Sequence, residues 1–247
     1  MKNTIKYKLV KFLVIIALAL SAIVLIGGSA TEDIVPTFPL AKGSYWVYQG
    51  TTKWTKEQSV HEENITWKME VVEAIQRGHV TGFVLKGSPY DLAWYNEGKE
   101  PGNYVMIHIN PDQFYLVSNN EKVAKVVQRL KDKDDALVGL VEEHELFLDF
   151  PLSRGKVFGD AQQITRKDRW YCWLVESEKA RKLENIKGIE KIENVTEYEL
   201  AYRTSPEYTI MDIVPGVGIT RFVYVHHGSI AETDVKLIEY FPGKEIG

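Results

Sequence analysis

The residues most able to do chemistry are few and scattered. His226 and His227 are adjacent, with Glu232 and Asp234 close behind. Neighbours on a strand point to opposite faces, so the pair shares a metal only if the turn bends them together, and the spacing matches no established ligand set. Glu142-Glu143-His144-Glu145 has the first letters of a zinc-protease motif, but the position four beyond His144 is Leu148, so the second histidine is absent. Asp91, Asp112 and Asp160 sit in turn contexts, where aspartate commonly caps backbone N–H groups. Paired carboxylates of the glycosidase kind come together only on folding and leave no trace in spacing. No P-loop, GxSxG, GxGxxG or EF-hand pattern occurs. Cys172 is the sole cysteine, which excludes an internal disulfide and a thiolate zinc site. Its apolar setting, Trp170-Tyr171-Cys172-Trp173, makes it a small core residue. Asn64 and Asn194 open Asn-X-Thr sequons and mark exposed strand starts. These readings predict no catalytic residue, no cofactor and no metal, hence a non-enzymatic role.

What remains is aromatic. Six Trp, 13 Tyr and 9 Phe make up 11% of the 247 residues. Trp46, Tyr48, Trp67, Trp94, Trp170 and Trp173 are the candidate ligand-binding residues. Such rings either fill a β core and its rim, or line a concavity for an apolar or carbohydrate ligand.

The elements that must position these rings are mostly strands. Ser44–Trp54, Ile65–Ile75, Val80–Leu85, Leu92–Tyr95, Tyr104–Ile109 and Phe114–Val117 are short, rich in β-branched and aromatic residues, and bounded by turn formers. Trp170–Val175, Val195–Tyr202, Tyr208–Val214, Ile219–His226 and Ile230–Tyr240 repeat the pattern, with a short charged helix expected around Glu178–Glu184. Between the two tracts, Val123, Val126, Val127 and Leu130 mark one helix face, opened by a capping box from Ser118 to Glu121. Leu137, Leu140, Val141 and His144 carry the same spacing, so residues 118–149 read as a helical hairpin packed on one face of the sheet. The expected class is mostly-β (α+β), a curved antiparallel sheet or half-barrel in one domain over 31–247. Its halves are 38–117 and 150–241.

The two halves open alike. Phe38-Pro39-Leu40-Ala41-Lys42-Gly43 is matched by Phe150-Pro151-Leu152-Ser153-Arg154-Gly155 at an offset of 112, with Phe, Pro, Leu and Gly identical. Both a duplicated half-sheet and chance recurrence of a strand-entry turn account for the match. Phe38-Pro39-Leu40 with Gly43, Trp46 and Tyr48, and Pro215-Gly216-Val217-Gly218-Ile219 near the end, resemble a group of bacterial secreted proteins and lipoproteins. The resemblance implies a strongly curved antiparallel sheet, similar to the half-barrels of LolA-type lipoprotein carriers, and implies no reaction.

Residues 1–30 carry Lys2, Lys6, Lys8 and Lys11, an apolar block from Phe12 to Ile26, and a small-residue end at Gly28-Ser29-Ala30. This is the pattern of a secretory signal cut before Thr31; residues 9–28 are also long enough to stay as a membrane anchor. Either outcome places the remainder outside the cytoplasmic membrane. Without those four lysines, 26 basic residues face 34 acidic ones, and a net charge of −4 becomes −8. That balance argues against nucleic acid as a partner and against docking on anionic lipid by charge alone. The reading is an exported domain binding an apolar small molecule, lipid or envelope protein in the sheet's concavity. A cell-surface interaction scaffold is the alternative, and a hydrolase without a recognisable motif the third.

Overall fold

The computed structural model describes residues 38–243 apart from Pro111. The signal or anchor read in residues 1–30 lies outside the described residues, and no described helix is long and apolar enough to cross a membrane.

Twelve strands form one antiparallel sheet: β1 (Tyr45–Lys56), β2 (Ser59–Arg77), β3 (Val80–Lys86), β4 (Asn103–Asn110), β5 (Gln113–Val117), β6 (Leu146–Asp149), β7 (Val157–Phe158), β8 (Trp173–Leu183), β9 (Ile192–Arg203), β10 (Glu207–Val214), β11 (Gly218–His226) and β12 (Ala231–Phe241). Their order is β6-β5-β4-β3-β2-β1-β12-β11-β10-β9-β8-β7. Each half is a meander, and the first and last strands of the chain pair in the middle, with Trp46 opposite Tyr240 and Thr52 opposite Thr233. The two ends of the order, β6 and β7, come against each other. The sheet therefore runs nearly all the way round, further than the expected half-barrel. Side-chain alternation dictates which face turns in: Trp46, Tyr48, Thr52 and Trp54 of β1 are buried, as are Ala231, Thr233, Val235 and Leu237 of β12. The inner face is packed with large side chains, among them Trp46, Tyr48, Met69, Leu85 and Phe222.

The two Phe-Pro-Leu corners make the same bonds. Gly43 N–H donates to Val71 O at 2.8 Å and Gly155 N–H to Val175 O at 2.8 Å; Val71 and Val175 donate back to Ser44 O and Lys156 O, both at 2.9 Å. Gly43 and Gly155 sit at φ 84° and 88°, a left-handed conformation that favours glycine. Phe38 and Phe150 both contact the Phe114 ring, at 6.1 and 6.0 Å between centroids.

A single helix, α1 (Asn120–Lys131), takes the place of the expected hairpin. Its apolar stripe covers the outer face of β3, β4 and β5, packing Val123, Val126 and Leu130 on Val80, Val105, Ile107 and Val117. The cap is Asn119 rather than Ser118: its Oδ1 accepts from Glu121 N at 3.0 Å and Lys122 N at 3.2 Å. Residues 137–141 form turns because Leu137 (φ 56°) and Gly139 (φ 60°) are left-handed, and because arginines take the carbonyls a helix would use. Arg129 donates to Val138 O at 2.9 Å and Arg77 to Asp135 O at 2.8 Å.

Three further expectations are corrected. Glu178–Glu184 lies in and just beyond β8, held extended by pairing with β9; Arg181 reaches Glu197 across the strands. Trp170–Cys172 precedes that strand as a turn, since Arg169 and Tyr171 are left-handed (φ 58° and 60°). Leu92–Tyr95 is no strand either: Ser88 caps a 3-10 turn over Pro89–Leu92, which proline favours at its start. This turn and the loop after it plug the interior. Thr233 Oγ1 donates to Leu92 O at 2.7 Å, and Tyr95 Oη to Glu63 at 3.2 Å.

Candidate functional site

The seam between β6 and β7 is where the ring of strands fails to join, and a cavity of about 360 Å³ lies against it. Register builds one wall. Trp173, Tyr202 and Thr209 are successive Cα partners across β8, β9 and β10, so their side chains stand in a row on the inner face. Leu116 of β5 and Leu146 and Phe147 of β6 supply the opposite wall, Tyr104 of β4 and Tyr90 of the plug the floor. The rings form a chain: Tyr90 meets Phe147 edge-on at 6.0 Å, Phe147 meets Trp173 at 6.2 Å and 89°, and Trp173 meets Tyr202 at 5.2 Å. Such edge-to-face contacts hold rings in fixed orientations.

Polar groups are few and placed. Asp91, itself buried, fixes Tyr104 by accepting its Oη at 2.7 Å. Tyr90 Oη lies 3.6 Å from Met211 Sδ. Burial, then the neighbouring Tyr202 and Tyr104, pushes the Tyr90 hydroxyl well above the usual phenol range. Burial does the same for Tyr104, aided by Asp91, and for Tyr202. All three hydroxyls stay protonated at neutral pH; Tyr104 spends its proton on Asp91 and Tyr90 its own on Met211 Sδ, which leaves Tyr202 as the phenol able to donate to whatever enters. At the mouth, Ser118, His144 and Glu145 lead into a trough of about 710 Å³ beside α1. There Lys122 pairs with Glu142 at 2.6 Å and with Glu145 at 2.9 Å.

The six sequence-selected rings separate. Trp46, Tyr48 and Trp67 are packed in the interior and line no described cavity; the Trp46 indole donates to Val217 O at 2.6 Å. Trp173 alone lies at the seam. Trp94 and Trp170 lie at the rim by the β9–β10 and β11–β12 turns. Tyr90, Tyr104, Phe147, Tyr202 and Thr209 were missed. The signal for the four rings was the same aromatic surplus, without the pairing that selects them, and Thr209 had none.

The other candidates resolve locally. His226 Nδ1 accepts from Ser229 N at 3.3 Å within its turn, while His227 stacks on Tyr208 at 6.3 Å. Among the described residues no group of three or more His, Cys, Asp or Glu is placed to hold a metal. Cys172 is buried, and burial pushes its thiol up.

One titratable cluster sits on the outer wall instead. Asp212 stands between Glu199 on β9 and Arg221 on β11. Arg221 is taken by Asp234, at 2.9 and 2.7 Å. Burial, then Glu197, pushes the Asp212 carboxyl up to about 6 from 3.8. A raised carboxyl binds its proton better folded than unfolded, so Asp212 costs stability as pH rises from about 4 to 6 and costs it fully above. Asp212→Asn should therefore stabilise the fold by about 1 kcal/mol at pH 8, after discounting for water at the partly exposed Arg221 and Asp234 beside this buried carboxyl. In urea titrations the gain should fade below about pH 4; a gain independent of pH would refute this origin.

Fold and site together define an antiparallel, nearly closed β-barrel-like domain with an aromatic cavity at its seam. No family model matches the chain, and no curated protein does. Two solved structures are similar. One, from Bacteroides fragilis NCTC 9343, is provisionally assigned as an exported protein with a YmcC-like fold; it is 11% identical, covers 84% of this chain and 99% of that one, and has a TM-score of 0.39. The other, provisionally a lipoprotein from Parabacteroides distasonis ATCC 8503, is 10% identical, covers 85% of this chain and 100% of that one, and has a TM-score of 0.36. Values this low transfer no property.

Proposed function

We propose that the chain is an extracytoplasmic binding domain, not an enzyme, whose seam cavity takes a small, mainly apolar ligand with one hydrogen-bonding group. The observation that carries this is the cavity of about 360 Å³ at the one break in the barrel, walled by five aromatic rings. Its size suits a small ligand, and concave apolar sites with a few placed polar groups are the usual form of such sites. The protonated hydroxyl of Tyr202 would meet the ligand's acceptor, while the oxygens of Tyr90 and Tyr104, whose protons are already given to Met211 and Asp91, could accept from it. The export-type pattern of residues 1–30 supports the location, and the resemblance of the Phe-Pro-Leu and Pro-Gly-Val-Gly motifs to bacterial exported proteins agrees with it.

The test uses cis-parinaric acid, a fluorescent fatty acid, with the full-length protein. Its emission should rise on binding. Leu116→Trp, which fills the cavity from the β5 side, should weaken affinity at least tenfold, about 1.4 kcal/mol, while the melting temperature stays within a few degrees. No rise in emission, or a rise unchanged in Leu116→Trp, would sink the proposal.

A further inference from the structure

The barrel wall is one strand short beside the seam. Pairing between β5 and β6 ends with Tyr115 opposite Leu146, so Leu116 and Val117 have no β6 partner. In place of a longer β6, Glu143–Glu145 forms a 3-10 turn. The gap joins the inner cavity to the outer trough: Leu116, Ser118, His144 and Glu145 line both. Across it the surroundings change from rings to charges. Lys122, Lys125 and Arg129, spaced i, i+3 and i+7, form one row of α1 along the trough. Glu145 stands at the throat with its side chain only 8% exposed. Burying a carboxylate is costly unless its oxygens are met. Here one oxygen takes Lys122 Nζ at 2.9 Å and the other the Glu142 N–H at 2.8 Å. Glu145 is thereby a positioning residue, holding the Lys122 ammonium over the trough. Lys122 turns one N–H to Glu145 and one to Glu142, which leaves its third for a ligand. Lys125, exposed one turn further along, has no ion pair among the described residues.

We infer that the trough is the head-group site of the seam cavity, and that the ligand is a single-chain zwitterionic amphiphile, its chain in the seam and a phosphate–ammonium head along α1. This rests on the seam reading above and extends it outside the barrel. The charges choose the head. Lys122, Lys125 and Arg129 face Glu121, Glu142 and Glu145 across the trough, so a head of one sign meets as much repulsion as attraction. Arg129 is further tied to Asp135 at 2.8 Å, which leaves no excess of positive charge for an anion alone. A head carrying both signs finds a partner for each. The order along the ligand follows from the throat. A chain leaving the seam passes Glu145 and reaches Lys122 first, so the phosphate lies next to the chain, between Lys122 and Lys125. The ammonium lies beyond it, against Glu142, which lines the trough alone and is 61% exposed. Phosphoethanolamine has this order.

The experiment displaces cis-parinaric acid from the full-length protein with three lauroyl amphiphiles that differ only in the head, each below its micellar concentration. They are lysophosphatidylethanolamine, the anionic lysophosphatidylglycerol and the uncharged monolauroylglycerol. The zwitterion should bind at least tenfold tighter than the uncharged amphiphile, and tighter than the anion, since it alone makes charge-assisted contacts of both signs. Lys125→Ala and Glu142→Gln should each weaken the zwitterion about fivefold, as loss of one partly exposed ion pair does, and leave the uncharged amphiphile within about twofold. Thermal melts verify that both variants fold. Absence of parinaric acid binding sinks the seam reading and this inference with it. Parinaric acid binding with equal displacement by all three amphiphiles overturns this inference alone. A tighter anionic head, or a zwitterion preference that survives both substitutions, overturns it as well.

Discussion

Replacing Gly50 with alanine should lower the thermal midpoint by about 10 °C, a loss of about 3 kcal/mol. Gly50 lies in the middle of β1, opposite Ile65 on β2 and Val235 on β12. A Cβ there would overlap the Asp234 carbonyl oxygen and stand 2.8 Å from Val235 Cα and 2.9 Å from the Asp234 carbonyl carbon. All three are backbone atoms, so no rotamer change relieves the clash. The strands must part or slide, and the loss includes ladder hydrogen bonds on both sides of the new methyl group. The position magnifies the effect, because β1–β12 is where the two meanders meet. Gly78→Ala is the control. Gly78 has φ 60° but no atom within 4 Å of a built Cβ, so only the left-handed backbone is taxed, by about 1 kcal/mol. Calorimetry on the two variants decides the matter: equal midpoints would mean that β1 and β12 do not approach as described.

Period-2 alternation made β1 and β12 legible, because each buries one face and wets the other. The stripe of α1 was legible for the parallel reason at period 3.6. The second helix failed although its spacing was as good. What decided this segment was not its own pattern but the guanidinium groups of Arg77 and Arg129, which come from 58 and 9 residues away to take the carbonyls of Asp135 and Val138. Leu92–Tyr95 failed because a short apolar run reads the same on a strand and on a plug. The paired Phe-Pro-Leu corners were legible at the level of residues, and their matching hydrogen bonds explain why those residue types recur.

The candidate site was legible only as a surplus of rings. Trp173 stood out, yet its partners Tyr202 and Thr209 become neighbours only through the register of three strands. Phe147 reaches them because β6 and β7 close the ring from opposite ends of the order, and Tyr90 because the plug folds inward. None of these contacts has a local signature. The interior also explains why Trp46, Tyr48 and Trp67 are structural: a ring of strands this complete fills its own centre, and leaves room only where closure is imperfect.

Asp91→Ala should cost about 3 kcal/mol and disable the seam cavity with it. The Asp91 carboxylate is buried and accepts three hydrogen bonds, from Ser88 N at 2.9 Å, Gly102 N at 3.1 Å and Tyr104 Oη at 2.7 Å. These tie both ends of the plug to one another and to β4. Alanine would leave the buried Ser88 N–H, the half-buried Gly102 N–H and the buried Tyr104 phenol without their acceptor. Asparagine is the sharper probe. Its side-chain oxygen still accepts one or two of the bonds, but its NH₂ group faces a donor, so about half the loss should return. Because Tyr90 and Tyr104 form the cavity floor, both variants should weaken parinaric acid more than they lower the melting temperature. Amide exchange localises the cause. Protection should fall across residues 88–102 while β1 and β12 keep theirs, since the plug is the first part to open when its anchor goes. Uniform loss of protection would instead make Asp91 a general support of the barrel, and the plug no separate element.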